Sequence, residues 1–212
     1  MELAIRFVAI AILGYVFGSF NTAIVVSKIF FHQDIRTMGS GNAGLTNAFR
    51  CMGKGCTLLV LLGDILKTVC AILLAEIVFL PNLGLLPVAK LVCGLFVVAG
   101  HMFPVYFGFK GGKGVLAGAT LCAMFNWRIL LILALVFVVL VAVTRYVSLG
   151  SIVIATAFPF MSLGYYWSSP SRVPVFVLTL LVGGGVVYMH RSNIQRLLNG
   201  TENKISFHKK ST

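Results

Sequence analysis

A polar, glycine-rich interruption stands out in an otherwise apolar chain at residues 100–114, called here the glycine loop. Four glycines fall between Gly108 and Gly114, and Lys110 and Lys113 lie among them. Glycine lets a backbone come close to a ligand and direct N–H groups at it, while lysine adds a compact positive charge. The loop therefore suits an anion such as a phosphate at the start of the next helix. Its spacing is not that of a nucleotide-binding P-loop, and a tight turn with cationic membrane anchors is the alternative interpretation.

Residues 32–56, called here the first polar loop, are too polar for lipid and too rich in hydrogen-bonding side chains for a plain connector. Two arginines, Arg36 and Arg50, offer forked donors that suit phosphate or carboxylate. Neutral hydrogen-bonding groups come from Ser40, Asn42, Thr46 and Asn47, with bends permitted at Gly39, Gly41 and Gly44. We interpret this loop as part of a site in preference to a solvated connection.

Two later polar breaks carry further candidates. Arg145, Ser148 and Ser151 occupy residues 145–151 and can either reach a phosphate or mark a membrane interface. His190 and Asn193 lie three residues apart and so share one helical face. Because Arg196 and Lys204 follow them, we favour a site over an interfacial histidine.

The elements that position these breaks are membrane helices. Only 10% of the 212 residues are charged and 59% are hydrophobic, whereas soluble chains carry about 25% charged residues. We predict an all-α polytopic membrane protein with about seven transmembrane helices, formed as one domain over residues 1–212. The first span is expected to be retained and not cleaved as a signal peptide. The predicted spans are 7–31, 57–80, 88–99, 115–125, 129–143, 152–167 and 175–189.

Two details of these spans bear on the site. Asp64 and Lys67 share a face of the second span, where they either neutralise each other or line the site; both interpretations stay open. The fifth span, 129–143, is uniformly apolar and is expected to contribute only packing.

The distribution of cations predicts the orientation. With the N-terminus outside, all four polar breaks lie on one side together with twelve Lys and Arg residues, and four lie on the other side. This bias follows the positive-inside rule and places the polar loops on the cytoplasmic face.

Several functions are disfavoured by what the sequence lacks. Five scattered cysteines without a Cys-x-x-Cys pair indicate neither a disulfide framework nor zinc. Only five acidic residues argue against a carboxylate metal site or a mechanism based on paired carboxylates. No Gly-x-Ser-x-Gly or His-x-x-x-x-Asp motif occurs. The net charge of +12 is spread over the chain, which points to anionic lipid or substrate and not to nucleic acid.

The residues alone therefore indicate a membrane enzyme or a transporter for small phosphorylated substrates. A transporter should show inverted repeats and a site near the bilayer midplane. No clear internal repeat is found in the sequence, and the polar clusters are predicted at one face.

Three long motifs resemble those of the bacterial acyl-phosphate:glycerol-3-phosphate acyltransferases. They are Gly39-Ser-Gly-Asn-Ala-Gly-Leu-Thr-Asn47 with Arg50, Gly100-His-Met-Phe-Pro-Val with Phe109-Lys-Gly-Gly-Lys-Gly114, and His190-Arg-Ser-Asn193 continuing to Lys204-Ile205. The likeness covers essentially the whole chain in order. It implies transfer of a fatty acyl group from acyl phosphate to the sn-1 hydroxyl of glycerol 3-phosphate, in phospholipid synthesis at the bacterial inner membrane.

The resemblance also implies roles for individual residues. Ser40, Arg50, His190 and Asn193 would be catalytic, and Glu202 would be structural. Whether His190 or a substrate phosphate removes the hydroxyl proton stays open. The predicted substrate-binding residues are Gly41, Asn42, Thr46, Asn47, Lys110, Gly111, Gly112, Lys113, Gly114, Arg145, Ser148 and Lys204. The family needs neither a metal nor a cofactor, and a functional link to an enzyme that forms acyl phosphate is expected.

Overall fold

The chain folds into helices joined by polar loops. The computed structural model describes residues 1–205, within which there are ten α-helices and no β-strand. Lys209 and Lys210, which entered the charge count, lie outside the described residues. The helices are α1 Glu2–Ser19, α2 Thr22–Phe31, α3 Leu45–Cys51, α4 Gly53–Phe79, α5 Leu86–Met102, α6 Val115–Phe125, α7 Trp127–Thr144, α8 Val147–Tyr165, α9 Arg172–Met189 and α10 Arg191–Leu198.

Five stretches of the described chain are long and apolar enough to cross a membrane. They are Glu2–Phe31, Gly53–Phe107, Trp127–Thr144, Val147–Tyr165 and Arg172–Met189. The second of these holds both α4 and α5, and α6 is a shorter apolar helix. The prediction of a helical, multi-pass chain is thus confirmed, while the count of seven spans and the orientation stay predictions.

The predicted first span, 7–31, lies within the apolar stretch Glu2–Phe31, but this stretch consists of two helices instead of one. α1 ends at Ser19, and α2 begins at Thr22 with the Asn21 side chain accepting a hydrogen bond from the Ile24 amide. Lys67 on α4 donates to the carbonyl of Phe20 at 2.8 Å and to that of Gly18 at 3.2 Å. The broken backbone is therefore satisfied by protein, as apolar surroundings require.

α1 and α5 pack closely through the Gly-x-x-x-Gly pair of α1. A methyl group on Gly14 would overlap the backbone of Cys93, and one on Gly18 would overlap that of Val97. Small residues at these positions let two helix backbones approach each other. Gly100 near the end of α5 is packed just as tightly against α1, because a methyl group there would overlap the carbonyl of Tyr15.

The four polar breaks meet at one end of the bundle. Arg36 of the first polar loop donates to the carbonyls of Phe107 and Lys110 in the glycine loop. The amide of Ile205 donates to the carbonyl of Arg145, which ties the C-terminal segment to the 145–151 break. The predicted convergence of these loops is therefore present in the fold.

Candidate active site

A cavity of about 390 Å³ opens where the four polar breaks meet and extends between α6, α7, α8 and α9. Its outer part, called here the polar head, is lined by Ser40, Asn42, Arg50, Lys113, Ser148, His190, Asn193, Arg196, Glu202 and Asn203. Its inner part, called here the apolar channel, is lined by Leu116, Ala119, Cys122, Leu130, Leu133, Ala134, Phe137, Ile154, Ala155, Phe158, Val182 and Val186. Such a shape accommodates a ligand with an anionic head and a hydrocarbon chain.

The first polar loop is held in shape by Asn47. Its Oδ1 accepts the amide proton of Ser40 at 2.9 Å, and its Nδ2 donates to the carbonyls of Ile35 and Met38. Asn47 lines the cavity, but these bonds already use both ends of its side-chain amide. Its role is therefore to stabilise the conformation of the loop. Ser40 is thereby presented at the cavity mouth together with the exposed Arg50.

Asn42 presents a different kind of group. Its Oδ1 is buried and has no hydrogen-bond partner among the described residues. Buried polar atoms in native proteins are nearly always satisfied. Since Asn42 lines the cavity, an incoming ligand that carries a hydroxyl or amine donor would supply the missing bond.

An arginine joins the first polar loop to the glycine loop. Arg36 pairs with both carboxylate oxygens of Asp34, at 2.9 and 2.7 Å, while its remaining nitrogen reaches Phe107 and Lys110. The hydrogen bond from Arg36 holds the pKa of Asp34 below its usual range. Arg36 thus links the first polar loop to the glycine loop, and its guanidinium is not free to bind substrate.

The glycine loop uses its amides internally. Gly111 donates to the carbonyl of Met102 at 3.0 Å, and Gly112 donates to that of His101 at 3.1 Å. These two amides are therefore engaged by backbone carbonyls, while the binding of substrate by Gly111 and Gly112 stays a prediction. Their small size is needed for packing, because a methyl group on Gly112 would overlap His101 Nε2 and approach the Ala43 carbonyl. Gly114 has a positive φ of 77° and begins α6 at the cavity wall.

Lys113 of the glycine loop enters the polar head. Its half-buried ammonium donates a 2.6 Å hydrogen bond to Asn193 Oδ1. Burial lowers the pKa of Lys113 to about 8, with Arg196 and Arg50 adding to the effect and Glu202 opposing it. A cation that is poorly compensated in this way favours the approach of an anion.

His190 is held as a neutral hydrogen-bond acceptor. Its Nδ1 lies 2.8 Å from the carbonyl of Val186, so Nδ1 carries the proton and Nε2 keeps its lone pair. The ring is 3% exposed. Burial lowers its pKa below the usual value, and the bond to Val186 opposes this change. Nε2 can therefore accept a proton or a hydrogen bond at neutral pH.

Glu202 connects three side chains of the polar head, one on α8 and two on α10. Its Oε1 accepts from Ser148 at 3.0 Å and from Asn193 at 2.8 Å, and its Oε2 accepts from Arg196 at 2.7 Å. Burial raises the pKa of this carboxyl, but the three hydrogen bonds outweigh burial and hold the pKa below its usual value. The Ser148 hydroxyl proton is thus directed at Glu202, which makes Ser148 part of this network.

Several predicted binding residues lie outside the cavity. Lys110 is exposed on the glycine loop, and Arg145 ends α7 with a left-handed backbone and an exposed side chain. Lys204 lies over the ring of Tyr146 and lines a smaller pocket of about 220 Å³ at the mouth, together with Ser40 and Arg50. Gly41, Gly111 and Gly112 shape the loops and do not line the cavity. The structure thus brings together Ser40, Asn42, Thr46, Asn47, Arg50, Lys113, Gly114, Ser148, His190, Asn193 and Glu202.

Five polar residues that are not among the predicted catalytic, substrate-binding or structural residues also line the cavity: Asp64, His101, Ser151, Arg196 and Asn203. Arg196 and Asn203 both belong to the third motif. Arg196 lies three residues after Asn193 and Asn203 directly follows Glu202, and these positions were the signal from which the sequence could have predicted them. Asp64 and His101 reach the cavity from α4 and α5. The apolar channel was missed altogether, and the expectation that the fifth span only packs is wrong, because Leu130, Leu133 and Ala134 of α7 line it.

The comparison with known sequences finds one family along nearly the whole chain. The family profile described as "Glycerol-3-phosphate acyltransferase" matches residues 8–200. A glycerol-3-phosphate acyltransferase of Syntrophomonas wolfei is 42% identical over 200 residues, covering 93% of this chain and 96% of that protein. One from Clostridioides difficile is 39% identical and covers 94% of this chain and 95% of the relative.

Solved structures agree with the sequence comparison. The crystal structure of PlsY (YgiH), an integral membrane glycerol 3-phosphate acyltransferase in its glycerol 3-phosphate form, superimposes with a TM-score of 0.81. It shares 34% sequence identity, covering 94% of this chain and 96% of that one. The lysophosphatidic acid form of PlsY gives a TM-score of 0.78 at 32% identity, covering 94% of this chain and 95% of that chain.

Proposed function

Since this chain belongs to the glycerol-3-phosphate acyltransferase family, we propose that it moves a fatty acyl group from acyl phosphate to the sn-1 hydroxyl of glycerol 3-phosphate. The products are lysophosphatidic acid and inorganic phosphate. The observation that carries this proposal is the division of one cavity into a cationic polar head and an apolar channel. That division suits a substrate with an anionic head joined to an acyl chain.

The polar head supplies cations for phosphate groups. Arg50, Lys113 and Arg196 line it, and the N-terminus of α6 opens at its wall through Gly114 and Val115. A phosphate monoester carries about −1.5 to −2 charges near neutral pH, so several cations can be engaged at once. Arginine forks bind phosphate oxygens in pairs, while lysine acts as a point charge.

His190 and Asn42 suit the glycerol part of the acceptor. Nε2 of His190 is an acceptor inside the cavity, and Oδ1 of Asn42 is a buried acceptor without a partner among residues 1–205. Glycerol 3-phosphate brings two hydroxyl donors. We assign the reacting hydroxyl to His190 and the other hydroxyl to Asn42.

The chemistry is a displacement at an activated carbonyl. The hydroxyl oxygen forms a bond to the acyl carbon while the carbon–oxygen bond of the mixed anhydride breaks, and its electron pair leaves with the phosphate. The hydroxyl proton passes to His190 Nε2 or to a substrate phosphate. Positioning and charge neutralisation by Lys113 and Arg50 lower the barrier without a covalent enzyme intermediate.

The setting follows from the same argument. The acyl chain reaches the apolar channel from the bilayer, and the polar head receives soluble glycerol 3-phosphate from the aqueous side. We place the protein in the bacterial inner membrane with the polar head facing the cytoplasm, which also gives it access to an enzyme that forms acyl phosphate.

The test is the release of phosphate from acyl phosphate by purified protein, with and without glycerol 3-phosphate. We expect release that depends on glycerol 3-phosphate and matches the lysophosphatidic acid formed, with acyl-CoA inactive as donor. Efficient acylation from acyl-CoA with acyl phosphate inert would overturn the proposed donor. Uptake of glycerol 3-phosphate into vesicles without acylation would instead identify a transporter.

A further inference from the structure

Beneath the glycine loop lies a buried cluster of ionisable side chains that the proposed reaction does not use. Lys67 Nζ is 2.8 Å from Asp64 Oδ1 and 3.0 Å from His101 Nδ1. Thr22 donates a further 3.0 Å hydrogen bond to Asp64 Oδ1. Asp64 is 1% exposed, Lys67 6% and His101 3%. Ionisable groups this deep in an apolar bundle are costly, which makes them candidates for a functional role.

The contact with Lys67 fixes the tautomer of His101. The three protons of the Lys67 ammonium are shared among Asp64 Oδ1, His101 Nδ1 and the carbonyls of Gly18 and Phe20. An ammonium has no lone pair, so Nδ1 can take part in this contact only as an acceptor. A doubly protonated ring would place a proton of Nδ1 against those of Lys67. His101 is therefore neutral with its proton on Nε2, the opposite tautomer from His190.

The proton on Nε2 has no acceptor within the described protein. His101 makes its side-chain hydrogen bond through Nδ1, and none of residues 1–205 bonds to Nε2. Nε2 lies against Gly112, one residue before Lys113, where a methyl group would overlap it. The ring lines the cavity. An N–H group that lines the cavity and makes no hydrogen bond to residues 1–205 is available to donate to a ligand.

We propose that His101 is a substrate-binding residue whose Nε2–H donates a hydrogen bond to the phosphate group that Lys113 binds. Asp64 and Lys67 act as positioning residues, because they hold Nδ1 as an acceptor and so keep the proton on Nε2. This inference rests on the proposed function, since it assumes a phosphate in the polar head. That phosphate belongs to either glycerol 3-phosphate or acyl phosphate.

The test compares His101→Gln with His101→Asn. The glutamine amide can place a donor near the position of Nε2, whereas the shorter asparagine reaches only the position of Nδ1. We expect the asparagine variant to raise KM for one of the two phosphate substrates by about ten- to a hundredfold, with the glutamine variant closer to wild type. The substrate whose KM changes identifies the phosphate. Ser162→Ala, which changes a buried hydroxyl of α8 outside the cavity, is the control for handling and insertion.

The outcomes separate the two proposals. Wild-type protein without acyl phosphate activity defeats the proposed function. If the wild-type protein is active but the two variants have equal KM values, or His101→Asn keeps more activity than His101→Gln, the proposed role of Nε2 is wrong. His101 is then only a hydrogen-bond partner of Lys67.

If neither variant inserts into the membrane, nuclear magnetic resonance of the wild-type protein with nitrogen-15-labelled histidine tests the proposal instead. A histidine protonated at Nε2 whose signal shifts when glycerol 3-phosphate or a non-hydrolysable acyl phosphate analogue is added supports the proposal. The absence of such a signal or shift overturns it.

Discussion

The ammonium of Lys113 lies 2.6 Å from Oδ1 of Asn193 and joins the glycine loop to the C-terminal segment. Nδ2 of the same asparagine donates to Glu202 at 2.8 Å. Lys113 therefore has two roles: it supplies a cation to the polar head, and it orients Asn193, which lies one helical turn from His190. Removing it should disturb both substrate binding and the geometry of the third motif.

Lys113→Ala is expected to lower kcat/KM for glycerol 3-phosphate by about ten- to a hundredfold, the equivalent of one charged hydrogen bond of about 1.5–3 kcal/mol. A fall in kcat should accompany the rise in KM because Asn193 loses its partner. Lys110→Ala is the matched control, since Lys110 is exposed and lies outside the cavity. The measurement is the steady-state kcat and KM for glycerol 3-phosphate of both variants in the same detergent. An unchanged response to glycerol 3-phosphate in Lys113→Ala would show that the glycine loop is only a turn.

The alkaline limb of the pH profile should report Lys113. Its pKa of about 8 means that it is cationic below that pH and neutral above it. Phosphate binding needs the cation, so kcat/KM should fall as pH rises through about 8. Lys113→Arg stays charged throughout and should remove this limb, even if its overall activity is lower. A limb that persists unchanged in the arginine variant would assign it to another group.

The acid side of the profile is less diagnostic of His190. Burial keeps its pKa below the usual value, so its Nε2 stays an acceptor at neutral pH. The phosphate of the substrate takes up a proton near pH 6, which contributes to any loss of activity there. The alkaline limb is therefore the one to compare between variants.

Gly112→Ala should impair activity through packing, with the charge unchanged. Its methyl group would overlap His101 Nε2 and approach the Ala43 carbonyl, so the glycine loop would have to move and carry Lys113 with it. Gly184→Ala is the control, because nothing lies within 4 Å of the position of its added methyl group. We expect a clear loss of kcat/KM in the first variant and none in the second. Equal activity of the two variants would mean that the loop can shift without moving Lys113.

The sequence predicted some elements closely because their signals are local. α6 occupies Val115–Phe125, the predicted range, since glycines precede it and Asn126 follows it. The break between α1 and α2 was missed, although Asn21 is a common helix-capping residue, because the apolar stretch Glu2–Phe31 is long enough to read as one span. That break depends on Lys67, which arrives from another helix and bonds to the freed carbonyls.

The site divides in the same way. The polar head could be anticipated, because polar breaks with cations on one side of a membrane must lie near one another. The apolar channel could not, since a leucine facing a cavity and one facing lipid look alike in a sequence. The internal use of the Gly111 and Gly112 amides was equally hidden, as glycine suits close packing as well as ligand approach.

Glu202→Gln tests the hydrogen-bond network of the polar head. The carboxylate accepts from Ser148, Asn193 and Arg196, and an amide can accept at only one of its two ends. We expect a lower thermal midpoint and a marked loss of activity. Glu2→Gln is the control, because Glu2 is an exposed residue of the first helical turn that pairs with Arg6. Unaltered stability and activity in Glu202→Gln would show that the neutral hydrogen bonds suffice.

The apolar channel predicts a dependence on the length of the acyl chain. Ala119 of α6 lines the channel, whereas Ala123, one turn further along the same helix, does not. Enlarging a side chain at a cavity wall removes space that the ligand needs, and a closely packed interior yields little elsewhere. Ala119→Leu should therefore lower kcat/KM for hexadecanoyl phosphate more than for decanoyl phosphate. Ala123→Leu should leave the ratio of the two donors at its wild-type value. Kinetics with both donors at saturating glycerol 3-phosphate measure this ratio, and an equal ratio in the two variants would place the acyl chain outside the channel.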